Sequence, residues 1–315
     1  MTRYIVERLL WTVPVVIGVS VIVFLILHLT PGDPADVMLG PEATPEAIER
    51  LHRDLGLDRP LYTQYGLWIG RVARADLGFS YTIRAPVLDL VMAKFKNTLL
   101  LVVTGLAFST ILGMAAGMIA ATHQNSWVDR AISATTLFGV SMPVFWLGIM
   151  LIMLFAVRLS WFPSAGMSSS GGGGVRDVLH HLVLPALTIA VASLGTVARF
   201  MRSAALEVMS QDYVRTARAK GLSEQRTHLV HTFKNALIPV ITVVGMQIGY
   251  LLGGAVLTET VFSWPGLGRL MLDGILARDF PLVQGSVLLI ALVFVLVNLA
   301  VDLLYAYVDP RIRYQ

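Results

Sequence analysis

The side chains of this chain that could do chemistry are few, and their spacing excludes more than it offers. There are four lysines, Lys94, Lys96, Lys220 and Lys234. None stands in the Gly-Lys-Ser/Thr context of a loop that cradles nucleotide phosphates, so the chain itself does not hydrolyse ATP by that route. There are no cysteines, which excludes disulfides and thiolate metal sites. His180 and His181 are adjacent, but no Asp, Glu or His recurs at ligand spacing, so they read as interfacial histidines and no metal site is expected. An intramembrane protease would need a nucleophile and a base at one depth, and no histidine falls in the middle of an apolar run. One polar stretch carries a pattern: Asp212 to Pro239, DYVRTARAKGLSEQRTHLVHTFKNALIP.

That stretch predicts a basic helix–turn–helix of a size suited to docking. Tyr213 to Lys220 suits a short helix, and Gly221 is the residue type that ends helices by accepting φ > 0. Ser223 can cap a second helix, with Glu224 favourable in its first turn. Leu229, Val230, Phe233 and Leu237 would give it one apolar face at 3.6-residue spacing.

The elements that must position this stretch belong in a bilayer. The 315 residues are 56% hydrophobic and 14% charged, where soluble domains carry about a quarter charged. Six apolar runs predict six transmembrane helices: Leu9–Leu29, Leu99–Ala121, Ala131–Val157 with a break near Pro143, Leu182–Ala198 with Pro185 near its start, Ala236–Leu257 and Leu282–Val301. The first is too long for a signal-peptide core and lacks a small-residue cleavage site. An even number puts both termini on one side. With cytoplasmic termini the inner pieces hold twelve Lys/Arg and the short outer loops four, the sense of the positive-inside rule. Basic residues thus gather at membrane ends rather than on one polar face, and nucleic acid is not an expected partner.

Residues 30–97 predict a small helical cap outside the membrane. Thr44, Pro45 and Gly56 read as cap, first residue and stop of one helix, and Leu61 to Val72 as a second. Pro86 would start a third, with Val87, Leu90 and Val91 facing the bilayer surface. Trp264, in the broken segment Leu257 to Arg269, suits an aromatic belt. No Asp, Glu, Lys or Arg lies near the middle of the six runs. Ion-coupled carriers bury such residues there to hold the coupling ion, so energy is expected to enter from elsewhere. Glycines recur at four-residue spacing, Gly113 with Gly117, and Gly245 with Gly249 and Gly253, which permits close helix approach. Gln247 and Asn298 could face a polar cavity or bond to a neighbouring helix.

In order and type, the Asp212–Pro239 stretch resembles the cytoplasmic E-A-A-x-x-x-G loop of ABC importer permeases. Arg215-Thr216-Ala217 stands in the E-A-A positions and Gly221 in the glycine position, and the Arg-Thr-Ala-Arg-Ala-Lys-Gly form resembles the peptide/nickel subfamily. Similar to that subfamily too are Gly32-Asp33-Pro34, Leu55-Gly56-Leu57-Asp58-Arg59-Pro60-Leu61, Asp76-Leu77-Gly78-Phe79-Ser80, Ser141-Met142-Pro143, Leu257 to Arg269 and Asp309-Pro310-Arg311-Ile312-Arg313.

The resemblance implies an all-α membrane protein of six transmembrane helices with the type I ABC importer permease fold, in a bacterial inner membrane. Its parts would be an N-terminal helix (1–29), a periplasmic segment (30–97), a transmembrane domain (98–308) with a coupling loop (199–236), and a cytoplasmic tail (309–315). It implies a second homologous permease, two ATP-binding subunits, a periplasmic substrate-binding protein and membrane lipid as partners. No cofactor would be held by this chain, with ATP and Mg²⁺ in the partner ATPases. Tyr213, Val214, Arg215, Thr216, Ala217, Arg218, Ala219, Lys220 and Gly221 would receive the ATPase motion. Gly245, Gln247, Gly249, Gly253 and Asn298, with Ser141 and Met142, are candidates for the pathway or the permease interface. The implied cargo is a di- or oligopeptide; Gly40-Pro41-Glu42-Ala43 and the Gly113–Ala121 run resemble glutathione-type permeases, and nickel is the alternative within the family. Two rivals from other classes are an ion-coupled secondary carrier, which needs an ion site, and a structural membrane anchor.

Overall fold

Apolar runs in lipid fold as helices because only a helix satisfies every backbone N–H and C=O within the run. The computed structural model describes residues 2–29, 44–56, 58–80, 82–169 and 172–308, and these are overwhelmingly helical. In chain order the helices are α1 (Thr2–Leu29), α2 (Pro45–Leu55), α3 (Leu61–Val72), α4 (Val87–Thr122), α5 (Trp127–Ser141), α6 (Val144–Arg158), α7 (Gly174–Met209), α8 (Asp212–Ala219), α9 (Glu224–Val261), α10 (Leu267–Leu276) and α11 (Phe280–Val308). The exception to helix is a short antiparallel ladder, β1 (Phe79–Ser80) paired with β2 (Ala85–Pro86), in the register Phe79 to Pro86 and Ser80 to Ala85.

By length and composition, α4, α7, α9 and α11 can each cross a bilayer. So can α5 and α6 taken as one span, bent by 106° at the break. The bend falls at Ser141-Met142-Pro143, where the sequence predicts it. Met142 is extended and Pro143 opens α6. The sixth predicted span is α1, whose described apolar run, Leu10–Leu25, is shorter than the other four. The Gly32-Asp33-Pro34, Gly40–Ala43 and Asp309–Arg313 motifs, Leu57 and the tail 309–315 lie outside the described residues.

The chain divides into two units. The first comprises Leu99–Trp264 with the chain from Val297 on, and α7 is its hub. Two-thirds of the α7 apolar window is buried (67%), against 28% for α4 and 22% for α9. Glycines bring the neighbours close. A Cβ at Gly113 would lie 2.9 Å from the Val197 Cβ, and one at Gly117 would lie 2.7 Å from the Met201 Cβ and 3.0 Å from the Arg202 nitrogen. On α7 itself, a Cβ at Gly195 would strike the Thr136 carbonyl of α5 at 2.5 Å. Such backbone proximity supplies the dispersion contact that holds helices together in lipid. Ala121, Val197, Met201, Ala204, Ala205, Ala236 and Val240 form the resulting core.

The second unit comprises Thr2–Thr98 with Pro265–Leu296. Here α2 begins and ends as expected: the Thr44 hydroxyl accepts from the Ala47 N–H at 3.3 Å and Gly56 closes the helix at φ +69. The bounds of α3 match their prediction. This helix lies along the apolar run of α1, where Val23, Phe24 and Trp68 form a core and the Ser20 and Tyr65 hydroxyls meet at 2.8 Å. Asp279 is buried and accepts from the Ser80 hydroxyl at 2.6 Å, the Thr82 N–H at 3.3 Å and the Leu282 N–H at 3.2 Å. It thereby caps α11 and anchors the β1–β2 loop.

Three expectations are corrected. No separate third cap helix exists, because α4 runs unbroken from Val87 to Thr122. Val87 and Val91 do not face the bilayer surface; they are buried in a core with Leu267, Leu270 and Leu282. Trp264 is not an interfacial belt residue. Ser263 takes φ +50, the Trp264 N–H donates to the Glu259 carbonyl at 2.8 Å, and the indole is fully buried.

Candidate functional site

The short helix α8 follows α7 after a tight turn and precedes α9 after another. Its residues alternate between two environments. Val214 is fully buried and Ala217 nearly so, while Tyr213, Arg215, Thr216, Arg218, Ala219 and Lys220 are exposed. The buried pair is spaced i, i+3, as one helix face requires, and packs α8 against α7 and the first turns of α9. The exposed face carries Arg215, Arg218 and Lys220. Asp212 lies 3.7 Å from Arg215, a fully exposed contact that stabilises little.

The end of α8 explains the glycine. The Leu222 N–H donates to the Ala217 carbonyl at 3.3 Å and the Gly221 N–H to the Arg218 carbonyl at 2.9 Å, with Gly221 at φ +81. That is the paired closure of a Schellman turn, which needs a left-handed residue at the position after the cap. The turn is bridged again by side chains: Arg218 Nε lies 3.0 Å from Glu224 Oε1, and His228 Nε2 lies 3.3 Å from Glu224 Oε2.

Beyond the turn the structure departs from the sequence reading. Ser223 has extended backbone and its carbonyl accepts from the Thr227 N–H at 2.9 Å, but its side chain makes no cap bond. After one α turn, Thr227–Phe233 is a π-helix. Its wider turn shifts the buried face to Thr227 and Thr232, which continue into Ala236 and Val240. The Thr232 hydroxyl donates to the Thr227 carbonyl, five residues back, at 3.4 Å. Leu229 and Val230, placed on the apolar face by 3.6-residue spacing, are therefore exposed. Of the other two, Phe233 packs against the core of the first unit and Leu237 is half-buried.

The pathway candidates differ in their surroundings. A Cβ at Gly245 would lie 2.8 Å from both Val301 methyls, so this glycine serves packing between α9 and α11. Asn298, half-buried, stands one turn before Val301, and Gln247 is half-buried on α9. Gly249 is half-buried one turn beyond Gly245, and Gly253, one turn further, faces open space. Ser141, exposed, donates to the Leu137 carbonyl at 2.9 Å, and with Met142 it belongs to the α5–α6 break. His180 Nε2 donates to the Trp161 carbonyl at 2.8 Å, and His181 Nδ1 lies 2.9 Å from the Asp177 carbonyl.

One constellation was not anticipated. Arg202, on α7, makes a two-pronged contact with Asp129, in the first turn of α5: Nε to Oδ1 at 2.7 Å and Nη2 to Oδ2 at 2.8 Å. The Asp129 side chain is 6% exposed and that of Arg202 31%. Asp129 also accepts from the Asn125 N–H at 3.0 Å, and its own N–H donates to the Ser126 hydroxyl at 3.3 Å. The Ser126-x-x-Asp129 spacing was a local signal for half of this network. Its other half lies 73 residues away.

The family described as binding-protein-dependent transport system inner membrane component matches residues 113–314, and its N-terminal companion matches residues 1–102. The glutathione transport system permease protein GsiC of Escherichia coli strain K12 is 45% identical over 315 residues, covering 100% of each chain. The GsiC proteins of Escherichia coli O6:H1 strain CFT073 and Shigella flexneri serotype 5b strain 8401 match to the same extent, 45%. A solved chain of the MetNI methionine ABC transporter, in inward-facing conformations, is 18% identical with a TM-score of 0.59, covering 70% of this chain and 96% of that one.

Proposed function

This chain belongs to the family of binding-protein-dependent transport system inner membrane components, and from that premise we propose that it moves glutathione and short peptides inward, driven by ATP that separate subunits hydrolyse. It is a multi-pass permease of the bacterial inner membrane with the fold of ABC importer permeases. The family implies a complex with ATPase and substrate-binding partners. The stoichiometry proposed is a second homologous permease, two ATP-binding subunits and one periplasmic binding protein, with ATP and Mg²⁺ held by the ATPases.

The observation that carries the cargo is the full-length 45% identity to permeases named for glutathione. The motion would enter at α8. Its exposed Tyr213, Arg215, Arg218 and Lys220 present a basic docking face, while Val214 and Ala217 key the helix into α7 and α9. ATP binding draws the ATPases together, and a helix held on its inner side passes that displacement on instead of sliding. Gly253, Gln247 and Asn298 are proposed for the pathway or permease interface; Gly245 is a packing residue.

The test is uptake by the assembled complex in liposomes, with labelled glutathione, a labelled dipeptide and Ni²⁺ as separate cargoes. ATP-dependent glutathione uptake, suppressed by excess tripeptide, is the expected result. ATP-dependent uptake of Ni²⁺ alone would move the assignment to the nickel branch. Uptake driven by an ion gradient without ATP would overturn the importer reading.

A further inference from the structure

We propose that Asp129 and Arg202 form a positioning strut that makes α7 stiff where it feeds α8, and that coupling of ATP use to transport depends on it. This rests on the reading above that α8 receives the ATPase motion. Arg202 stands seven residues before Met209, the last residue of α7, and only Ser210 and Gln211 separate α7 from α8. A displacement of α8 therefore enters α7 about two turns beyond Arg202. At that level α7 is gripped on two sides. The Gly117 backbone of α4 closes on Met201 and Arg202, and the carboxylate of Asp129 grips the guanidinium with two bonds. A fork of two parallel bonds fixes rotation as well as distance, which a single lysine contact does not.

Asp129 is itself immobilised. It is nearly buried, it sits in the first turn of α5, where the helix dipole favours negative charge, and it holds the α4–α5 turn through the Asn125 N–H. Asn125 takes φ +63, so that turn has a defined shape. The strut thus joins the α4–α5 turn to the helix that leads into α8. Without it, α7 would lose one of its two grips at this level and twist more readily under load, and part of the movement of α8 would be lost before reaching the helices beyond. Neither residue is expected to touch cargo or nucleotide; both act by holding α7 in place.

The experiment uses the full complex, reconstituted with its binding protein and ATPases. Three quantities are measured: complex yield, binding-protein-stimulated ATPase rate, and cargo transported per ATP. The variants are Asp129→Asn, Arg202→Met, both together, and Arg202→Lys. The expected result is a fall of about tenfold in cargo per ATP for each single change, a size ordinary for coupling between sites, with ATPase activity retained. The double variant should be no worse than the worse single, because Arg202→Met leaves the nearly buried Asp129 carboxylate without its partner and Asp129→Asn leaves the half-buried guanidinium with a weaker, uncharged acceptor. Arg202→Lys, which keeps the charge and loses the fork, should fall in between. If Arg202→Met lowers complex yield, Arg202→Lys carries the test. An unchanged ratio of cargo to ATP, or losses of ATPase and transport in step with yield, would overturn the strut and leave α8 as the docking helix. No ATP-driven uptake by the wild-type complex would overturn both.

Discussion

Gly221 adopts φ +81, and a Cβ added there meets nothing within 4 Å. Space is therefore not what demands a glycine; the left-handed backbone is. Alanine in that conformation costs about 1 kcal/mol, and a β-branched residue more. The Schellman closure would be lost or strained, and with it the angle at which α8 meets α9. Gly221→Ala is expected to lower uptake by a few-fold or less. Gly221→Val should abolish most uptake while the purified permease keeps its melting temperature in detergent, because no core contact is touched. Unchanged uptake in Gly221→Val would count against a coupling role for α8. The Arg218–Glu224 bridge spans the same turn, but both groups are substantially exposed. An exposed pair of this kind contributes less than about 1 kcal/mol, so Glu224→Gln is expected to change uptake much less than Gly221→Val.

Between elements, the decisive contacts are close approaches at glycines. Gly113 and Gly117 sit against Val197, Met201 and Arg202, and Gly195 sits against Thr136 and Val140. Gly117→Val would force α4 off α7, at a cost of roughly 1–3 kcal/mol or more. The expected outcome is a clear drop in melting temperature and in membrane yield, unlike Gly221→Val; equal stability would show that α4 and α7 do not pack at Gly117. Helix breaks and ends set by a few neighbouring residues were legible in the sequence. Thr44 with Gly56 bounds α2, Pro143 breaks α5 from α6, and Gly221 ends α8. Features set by distant packing were not. The Asp129–Arg202 fork spans 73 residues. Trp264 has the composition of a belt residue, yet the turn at Ser263 folds it inward. The π-helix at Thr227–Phe233 defeated the 3.6-residue rule, because one wider turn moves every following side chain to a new face. Leu229 and Val230 are exposed for that reason. The glycine stripe was half legible: Gly245 packs against Val301, whereas Gly253 is open.

At the scale of the whole molecule, the open quantity is topology. Among the described residues, four helices and one bent pair are long and apolar enough to cross, and α1 makes a sixth candidate. The apolar run read for it from the sequence, Leu9–Leu29, spans about 30 Å at 1.5 Å per residue, close to the hydrocarbon core of about 30 Å. Six crossings would place both termini on one side, and twelve basic residues against four predict that side to be the cytoplasm. The absence of cysteine from the chain makes this directly measurable, since any single cysteine introduced is the only thiol present. Ser168 is exposed before α7 begins, and Ser223 is exposed just after α8. The 36 residues of α7 lie between them, and a helix of that length reaches about 54 Å. The two positions should therefore lie on opposite faces of the membrane. With the permease expressed without its ATPases, so that α8 stays uncovered, Ser168→Cys is expected to react with a membrane-impermeant maleimide in intact cells stripped of outer membrane. Ser223→Cys should react only after the inner membrane is opened. The reverse pattern would put α8 outside, where no ATPase could reach it, and would remove the physical basis for ATP-driven import through this chain. Labelling of both positions in intact cells would mean that α7 does not cross, which its buried, apolar length argues against.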